Sequence, residues 1–186
     1  MAHGHGHADH GDGGHGNKKV ALLIAVLALI LAFAETLGKG AQTGALAFNI
    51  EASNLWAFFQ AKTVRQTVLR TAAEQAEAVS TTESSKKQIA KWKETAQRYQ
   101  SEPDTGEGRE QLASRAKEAE KKRDRSMAAY HHYEMASAVV QIAIVLASAS
   151  IITAMPLLAW LGGALGLVGV VFCGIGFLAP QAVHLF

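Results

Sequence analysis

The sequence predicts an all-α membrane protein with three transmembrane helices and a long, coiled-coil-like helical hairpin between the first and the second. Nearly half of the 186 residues are apolar. Almost every charge lies between Glu35 and Glu134, so the flanking regions suit a bilayer better than water. No run alternates in the manner of a strand. The formal net charge of only +2 excludes a strongly basic nucleic-acid-binding protein, and we expect no nucleic-acid partner.

Residues 1–16 form a tail of histidine, glycine and aspartate with too few apolar side chains to fold. Neutral imidazoles bind zinc, nickel or copper, but a defined metal site also needs ligands held in place by supporting hydrogen bonds. We therefore expect no cofactor and interpret the tail as solvated, with adventitious metal affinity. A physiological metal role is the alternative, and it would use His3, His5, His7, His10 and His15.

Residues 17–38 are the predicted first transmembrane helix. The apolar run Val20–Ala34 is shorter than the roughly 20 residues that cross a bilayer, so the span extends past it and places Glu35 near a membrane boundary. We interpret Glu35 as an interfacial anchor, with proton or cation handling as the alternative. The run also resembles a signal peptide in length, but no small-x-small cleavage pattern follows it, so we expect an uncleaved span.

Residues 39–62 are predicted to form an amphipathic aromatic helix, because apolar side chains recur in it at helical spacing. Such a helix can lie in the lipid headgroup layer or pack against a neighbouring subunit. The candidate interfacial residues are Trp56, Phe58 and Phe59.

A family resemblance rests on NLWAFFQAK (Asn54–Lys62), above all on Trp56 and Phe59–Lys62. Together with the histidine-rich start, the charged middle and a two-span carboxyl-terminal hairpin, this stretch resembles the bacterial membrane proteins grouped as domain-of-unknown-function family four-three-three-seven. The resemblance implies a three-span, all-α architecture and a bacterial origin. It carries no established activity, so it implies no catalytic residue.

Residues 63–134 are predicted to form the charged helical hairpin, with its turn at residues 101–108, where Pro103, Gly106 and Gly108 disfavour a helix. In the outgoing arm a seam of small and branched residues, beginning with Val64 and Val68, steps by three or four. Folding the arms about this turn predicts a polar layer that either sets the register of the hairpin or is simply solvated. Its members are Glu83, Lys87, Glu120 and Arg123.

The two arms of this hairpin differ in length, since the outgoing arm counted from Gly40 is about twice as long as the return arm. Residues 41–73 must therefore bend along the membrane, cross an intersubunit groove or run deeper into the bilayer. Each of these paths implies contacts outside one hairpin, so we expect a homo-oligomer.

Residues 135–155 and 156–180 are the predicted second and third spans, followed by a short tail at 181–186. The second is uncharged, with Gln141 as an intramembrane polar residue. The third is rich in glycine, and Gly162, Gly166 and Gly174 share one face. Close helix packing is the favoured interpretation of that face and a glycine-lined pore the alternative. The single cysteine, Cys173, excludes an intrachain disulfide.

The resemblance implies a multi-pass protein of the bacterial inner membrane, and basic residues near the spans favour a cytoplasmic hairpin. The opposite orientation is the alternative, because a loop this long can cross the membrane despite its charge. The hypothesis is a non-enzymatic, homo-oligomeric scaffold in the lipid bilayer that displays hairpins to each other or to an unknown protein partner. The alternative is an ion or metal channel or transport component using Glu35, Gln141 and the histidine-rich tail. No metalloprotease motif or nucleophile elbow occurs, and we interpret His131 and His132 as interfacial.

Overall fold

The computed structural model describes residues 13–79 and 81–182, with side chains from residue 16 onward. This part of the chain contains four α-helices, α1 (Gly13–Val79), α2 (Glu83–Gln100), α3 (Arg109–Thr153) and α4 (Pro156–Leu178). No strand occurs among the described residues, so the all-α fold class is confirmed. Helices α1, α3 and α4 are long and apolar enough to cross a membrane.

The helices belong to two compact units. The first, which we call the span unit, contains the residues up to Thr43 and those from Arg125 onward. The second, which we call the charged unit, is Gly44–Asp124. The predicted aromatic helix at 39–62 is not a separate element, because α1 is helical throughout that range.

In the charged unit the chain reverses between α1 and α2. Lys93 Nζ of α2 lies 2.5 Å from Glu77 Oε1 of α1, and Gln66 Nε2 of α1 donates to the Ala96 carbonyl of α2 at 3.0 Å. As residue numbers rise along α2 they fall along α1, so the two helices are antiparallel. The reversal therefore falls in the few residues between Val79 and Glu83.

Helix α3 continues in the direction of α2 instead of reversing it. Arg109 Nε donates to Thr63 Oγ1 at 2.8 Å, and Trp56 Nε1 donates to Glu120 Oε1 at 2.9 Å. The first eleven or so residues of α3 therefore also lie antiparallel to α1. The predicted hairpin turn at residues 101–108 is wrong, since the chain has the same direction before and after it.

The break after α1 has a local cause in the run of hydroxyl side chains. Thr82 is the N-cap of α2, with extended backbone angles, and its Oγ1 accepts from Ser85 N at 3.3 Å. Threonine and serine side chains that bond nearby backbone groups offer an alternative to helical hydrogen bonds. The predicted outgoing arm is thus not one continuous helix, because α1 ends at Val79 and α2 begins at Glu83.

Residues 101–108 form a loop that closes on itself. Gly106 has φ of 67°, a left-handed conformation that glycine adopts without steric cost, and its N–H donates to the Glu102 carbonyl at 3.0 Å. A Cβ on Gly108 would lie 2.8 Å from Ser101 Cα, so only glycine lets the ends of the loop approach. Gln111 Nε2 donates to Ser101 Oγ at 3.1 Å. This geometry is that of a compact loop between two successive helices.

The predicted polar layer does not assemble, because the chain reverses elsewhere. Arg123 bonds to Asp124 Oδ1 at 2.9 Å and to Asn49 Oδ1 at 3.4 Å, and Glu120 accepts from Trp56. Glu83 pairs at 2.8 Å with a neighbouring lysine in its own helix, and Lys87 is exposed. None of these contacts joins α2 to α3, so the register of the unit must be set by other residues.

In the span unit α4 packs closely on α3. A Cβ on Gly162 would lie 2.8 Å from the Ala143 carbonyl, and one on Gly169 would lie 3.4 Å from the Ala136 carbonyl. Residue numbers fall along α3 as they rise along α4 in these contacts, so the two helices are antiparallel. Leu27 of α1 also belongs to the buried apolar cluster between them. Close approach at glycine is the usual way for helices to pack in lipid.

Candidate functional site

The charged unit buries polar side chains of α1 and exposes apolar ones. Lys62 and Gln66 are 6% and 2% exposed, whereas Val64 and Val68 are 63% and 60% exposed. The prediction that the seam of Val64 and Val68 lies inside the hairpin is therefore wrong. Apolar residues recur at helical spacing on both faces of α1, so periodicity alone does not identify the face that is buried.

Lys62 holds the loop at residues 101–108 against α1. Its Nζ lies 3.7 Å from Glu102 Oε2 and 3.8 Å from Glu107 Oε2. The same ammonium lies 5.4 Å from the ring centroid of Phe58 and 5.1 Å from that of Tyr99, within the range of a cation–π contact. A buried lysine needs such partners, because an unpaired charge in the interior is costly.

Arg109 joins all three helices of the charged unit. Its guanidinium donates to Thr63 Oγ1 at 2.8 Å, Gln66 Oε1 at 2.5 Å and Gln100 Oε1 at 3.0 Å, and it lies 4.9 Å from the ring centroid of Phe59. The fork geometry of arginine suits it to several acceptors at once. Neither Arg109 nor Gln66 is among the residues predicted from the sequence. The available signal was that positions 59, 62 and 66 share a helical face.

The aromatic residues predicted to be interfacial lie within the charged unit. Trp56 and Phe59 form an edge-to-face pair with centroids 5.4 Å apart, and both pack on a buried apolar cluster. Phe58 is about one-third exposed and lies beneath Lys62. The indole of Trp56 also needs its acceptor on α3, which fixes it inside the fold. The cluster consists of Ala52, Leu55, Leu112, Ala116 and Ala119.

Glu102 is an ionisable group of this unit whose pKa is lowered by its neighbours. The hydrogen bond from Arg98, at 2.8 Å, holds the pKa of its carboxyl below the usual range, and Thr105 and Lys62 act in the same direction while burial opposes them. The side chain is 15% exposed. Glu102 is thus held as a carboxylate that positions Lys62, which is a structural role.

The opposite side of α1 forms an uncharged surface that we call the outer face. Four of its branched side chains are more than half exposed, namely Leu46, Ile50, Val64 and Val68. The other positions of this face carry small or uncharged polar side chains, and these side chains are also exposed. The complete set is Leu46, Ile50, Ser53, Ala57, Ala61, Val64, Val68, Thr71 and Gln75.

In the span unit the two predicted intramembrane polar residues come together. Gln141 Nε2 donates to Glu35 Oε1 at 3.5 Å and to Ser137 Oγ at 3.3 Å. The Glu35–Gln141 contact is long for a hydrogen bond, and both side chains are exposed. The pair connects α1 to α3 and leaves the carboxylate accessible.

The predicted packing glycines are divided between two environments. Gly162 and Gly166 are buried against α3 and Leu27, whereas a Cβ on Gly174 would meet no atom within 4 Å. Gly169 and Gly176 take the place of Gly174 on the buried face. Because these contacts lie within one chain, the buried glycines hold α4 against α3 and α1.

The described residues hold no group of three or more His, Cys, Asp or Glu side chains placed to bind a metal ion. The candidate ligands His3, His5, His7 and His10 lie outside the described residues, and so does the side chain of His15. His132 is 1% exposed and bonds through Nε2 to the Pro180 carbonyl at 3.1 Å. It fastens the end of α4 to α3 and is not interfacial.

Comparison with known proteins gives a family for the chain. The profile described as "Domain of unknown function (DUF4337)" matches residues 16–179. The chain belongs to this family. No curated protein and no solved structure shows significant similarity to it. As a DUF4337 member it inherits no described activity, and its function has to be inferred from its own surfaces.

Proposed function

We propose that this protein is a non-enzymatic membrane scaffold that forms a homo-oligomer through the outer face of α1. The observation that carries the proposal is that α1 buries polar side chains and exposes apolar ones in the charged unit. Its interior contacts are made by Lys62 and Gln66, while Val64 and Val68 are left exposed. An extended apolar stripe on an otherwise charged unit is typical of a surface that another protein covers.

The energy available from covering the outer face is moderate. Fully burying a branched aliphatic side chain contributes about 1.5–3 kcal/mol. A dimer covers four such side chains on each copy, and each is only a little over half exposed beforehand, so roughly 7–14 kcal/mol is available as an upper bound. Association of two free molecules costs an estimated 4–15 kcal/mol. The gain is therefore sufficient only where that cost is reduced. Confinement of all copies to one membrane reduces it by raising their effective concentration.

A second copy of the chain suits the outer face better than an unrelated partner. The face contains no charged residue, so it offers no pattern of charges that would select an oppositely charged protein. The same face is present on every copy, which permits a self-complementary interface about a two-fold axis. Ala57 and Ala61 at its centre allow helices to approach closely, with Val64 and Val68 as adjacent branched residues.

Copies inserted in one membrane with the same topology have their α1 helices in the same direction. The expected interface is therefore parallel, with Val64 of one copy near Val64 of the next. We place this assembly in the bacterial inner membrane with the charged unit in the cytoplasm, on the support of the basic residues that flank the spans.

Disulfide crosslinking in membranes tests this interface. Cys173 is the only native cysteine, so a Cys173→Ser background leaves one introduced thiol per chain. Val64→Cys is expected to give a crosslinked dimer after mild oxidation. Arg70→Cys is the matched control, because Arg70 is exposed on the same helix but lies about 120° away around it.

Particle size completes the test. The detergent-solubilised protein should be larger than one chain by light scattering, and Val64→Glu with Val68→Glu should shift it toward the monomer. A strictly monomeric wild-type particle, with no Val64→Cys dimer in membranes, would sink the proposal. A stable oligomer that crosslinks through Arg70→Cys instead would place the interface on another face and overturn the assignment to the outer face.

A second candidate function is cation transport, which the Glu35–Gln141–Ser137 cluster supports. These polar groups lie together in segments that are otherwise apolar, and ionisable residues in such segments often serve ion pathways. Glu35→Gln should then reduce cation flux into proteoliposomes. Flux that is unchanged by Glu35→Gln, and by deletion of residues 2–16, would argue against transport and leave the scaffold as the remaining candidate.

A further inference from the structure

The span unit contains a groove that the scaffold proposal does not use. It lies where the start of α1, the end of α3 and the start of α4 meet, and its volume is about 1190 Å³. That is larger than the pockets that enclose drug-sized ligands, which are about 300–1,000 Å³. We call it the amino-terminal groove, lined among others by Lys19, Leu23, Ser150, Trp160, Gly163 and Leu167.

Small side chains keep the groove open along α4. A Cβ on Gly163 would meet no atom within 4 Å, so the space beside this residue is empty of protein. One turn further along, Leu27 packs against Gly166 and closes the gap between α1 and α4. The groove is therefore a slot with one end at the start of the spans and a closed end deeper in the apolar segment. From Pro156 to Leu167 it extends roughly 16 Å at 1.5 Å per residue.

The two ends of the slot differ in chemistry. The deep end is apolar, formed by Val20 and Leu23 of α1 and by Leu167 of α4. Lys19 lines the groove near its open end, and none of the ion pairs found among the described residues includes it. No aspartate or glutamate lines the groove. Trp160 is 80% exposed beside it, as is typical of a side chain at the membrane–water interface.

We propose that the amino-terminal groove binds one anionic phospholipid. The phosphate would lie at the Lys19 ammonium and an acyl chain would follow the slot past Gly163 toward Leu27. A cation at the interface and an apolar channel beneath it match the two halves of such a lipid, because an ammonium attracts a phosphate and apolar side chains favour an acyl chain. This proposal concerns a different part of the chain from the outer face and does not depend on oligomerisation.

Lipid retention by the purified full-length protein tests the groove. The probes are phosphatidylglycerol and phosphatidylcholine with identical acyl chains, supplied in mixed micelles and counted by native mass spectrometry. Wild type should retain one phosphatidylglycerol in preference to phosphatidylcholine. Lys19→Gln should reduce that preference about fivefold, since a basic residue near an anionic surface contributes about one such factor.

Gly163→Leu fills the slot and should abolish retention of the lipid. Gly174→Leu is the matched control, because Gly174 is on the same helix, also faces open space and does not line the groove. Thermal unfolding establishes that both variants fold. The proposal is overturned if Gly163→Leu retains lipid as wild type does, or if wild type binds the two lipids equally. It is also overturned if deleting residues 2–12 is needed for lipid to bind, since the chain's own tail would then be the occupant.

Discussion

Replacing Gln66 by leucine should destabilise the protein, although the change makes a buried position of α1 more apolar. Gln66 is 2% exposed, and its amide makes hydrogen bonds to the Ala96 carbonyl, to Gln100 Oε1 and from Arg109. The two neutral bonds contribute about 0.5–1.5 kcal/mol each and the bond from the charged Arg109 about 1.5–3 kcal/mol, so roughly 2.5–6 kcal/mol is lost. Leucine returns about 1.6 kcal/mol through two additional buried carbons.

The net loss of about 1–4 kcal/mol should lower the midpoint of thermal unfolding by roughly 2–16 °C in a chain of this size. The measurement is far-ultraviolet circular dichroism of the purified protein in detergent, at a concentration that keeps it monomeric. Gln60→Leu is the matched control, because Gln60 is exposed on the same helix, and the expected change is within about 0.5 kcal/mol. If Gln66→Leu is as stable as Gln60→Leu, or more so, the polar face of α1 does not face inward and the described packing is wrong.

Three further predictions concern the charged unit and the spans. Leu112→Ala should cost about 2–5 kcal/mol of unfolding free energy, because Leu112 is fully buried; a smaller loss in chemical denaturation would contradict its place in the core. Because the pKa of Glu102 is lowered in the folded protein, this carboxylate stabilises the fold above its unfolded pKa. The contribution should disappear as pH falls through the folded pKa, and Arg98→Gln should flatten that part of a stability–pH curve. Gly169→Leu should destabilise the packing of α3 on α4 while Gly174→Leu does not, and equal thermal midpoints would refute the difference.

The sequence was sufficient for the fold class and for three helices long and apolar enough to cross a membrane, because uninterrupted apolar runs can be stable only in lipid or in a large core. It was misleading about the chain reversal. Proline and glycine at residues 101–108 mark a loop correctly, but they do not determine whether the chain changes direction there. The true reversal lies beside Thr82, whose side chain caps α2, and hydroxyl residues are a weaker signal of a helix end than glycine and proline are.

The inner face of α1 was also beyond sequence reasoning. The face of Leu55, Phe59 and Ala73 and the face of Val64 and Val68 have the same helical period, so both satisfy a pattern search. The correct choice depends on Lys62 and Gln66, whose long side chains can bury their stems while their polar ends find partners. Those partners lie on α2, α3 and the loop between them. Their identity follows from tertiary structure, and no local pattern encodes it. Glu35 and Gln141 were singled out individually, but their proximity also required the packed helices.

The polar contacts on the inner face of α1 determine which side of the helix stays uncovered. Buried ion pairs contribute little net stability compared with apolar packing, but they tolerate few alternative arrangements. The contacts of Lys62 and Arg109 therefore fix α2 and α3 on one side of α1 and keep the opposite side uncovered. Without these polar contacts, α2 could pack on either face of α1 and cover Val64 and Val68. Polar side chains beside the apolar cluster of the inner face thus leave the outer face uncovered, which is the property that a self-associating scaffold requires.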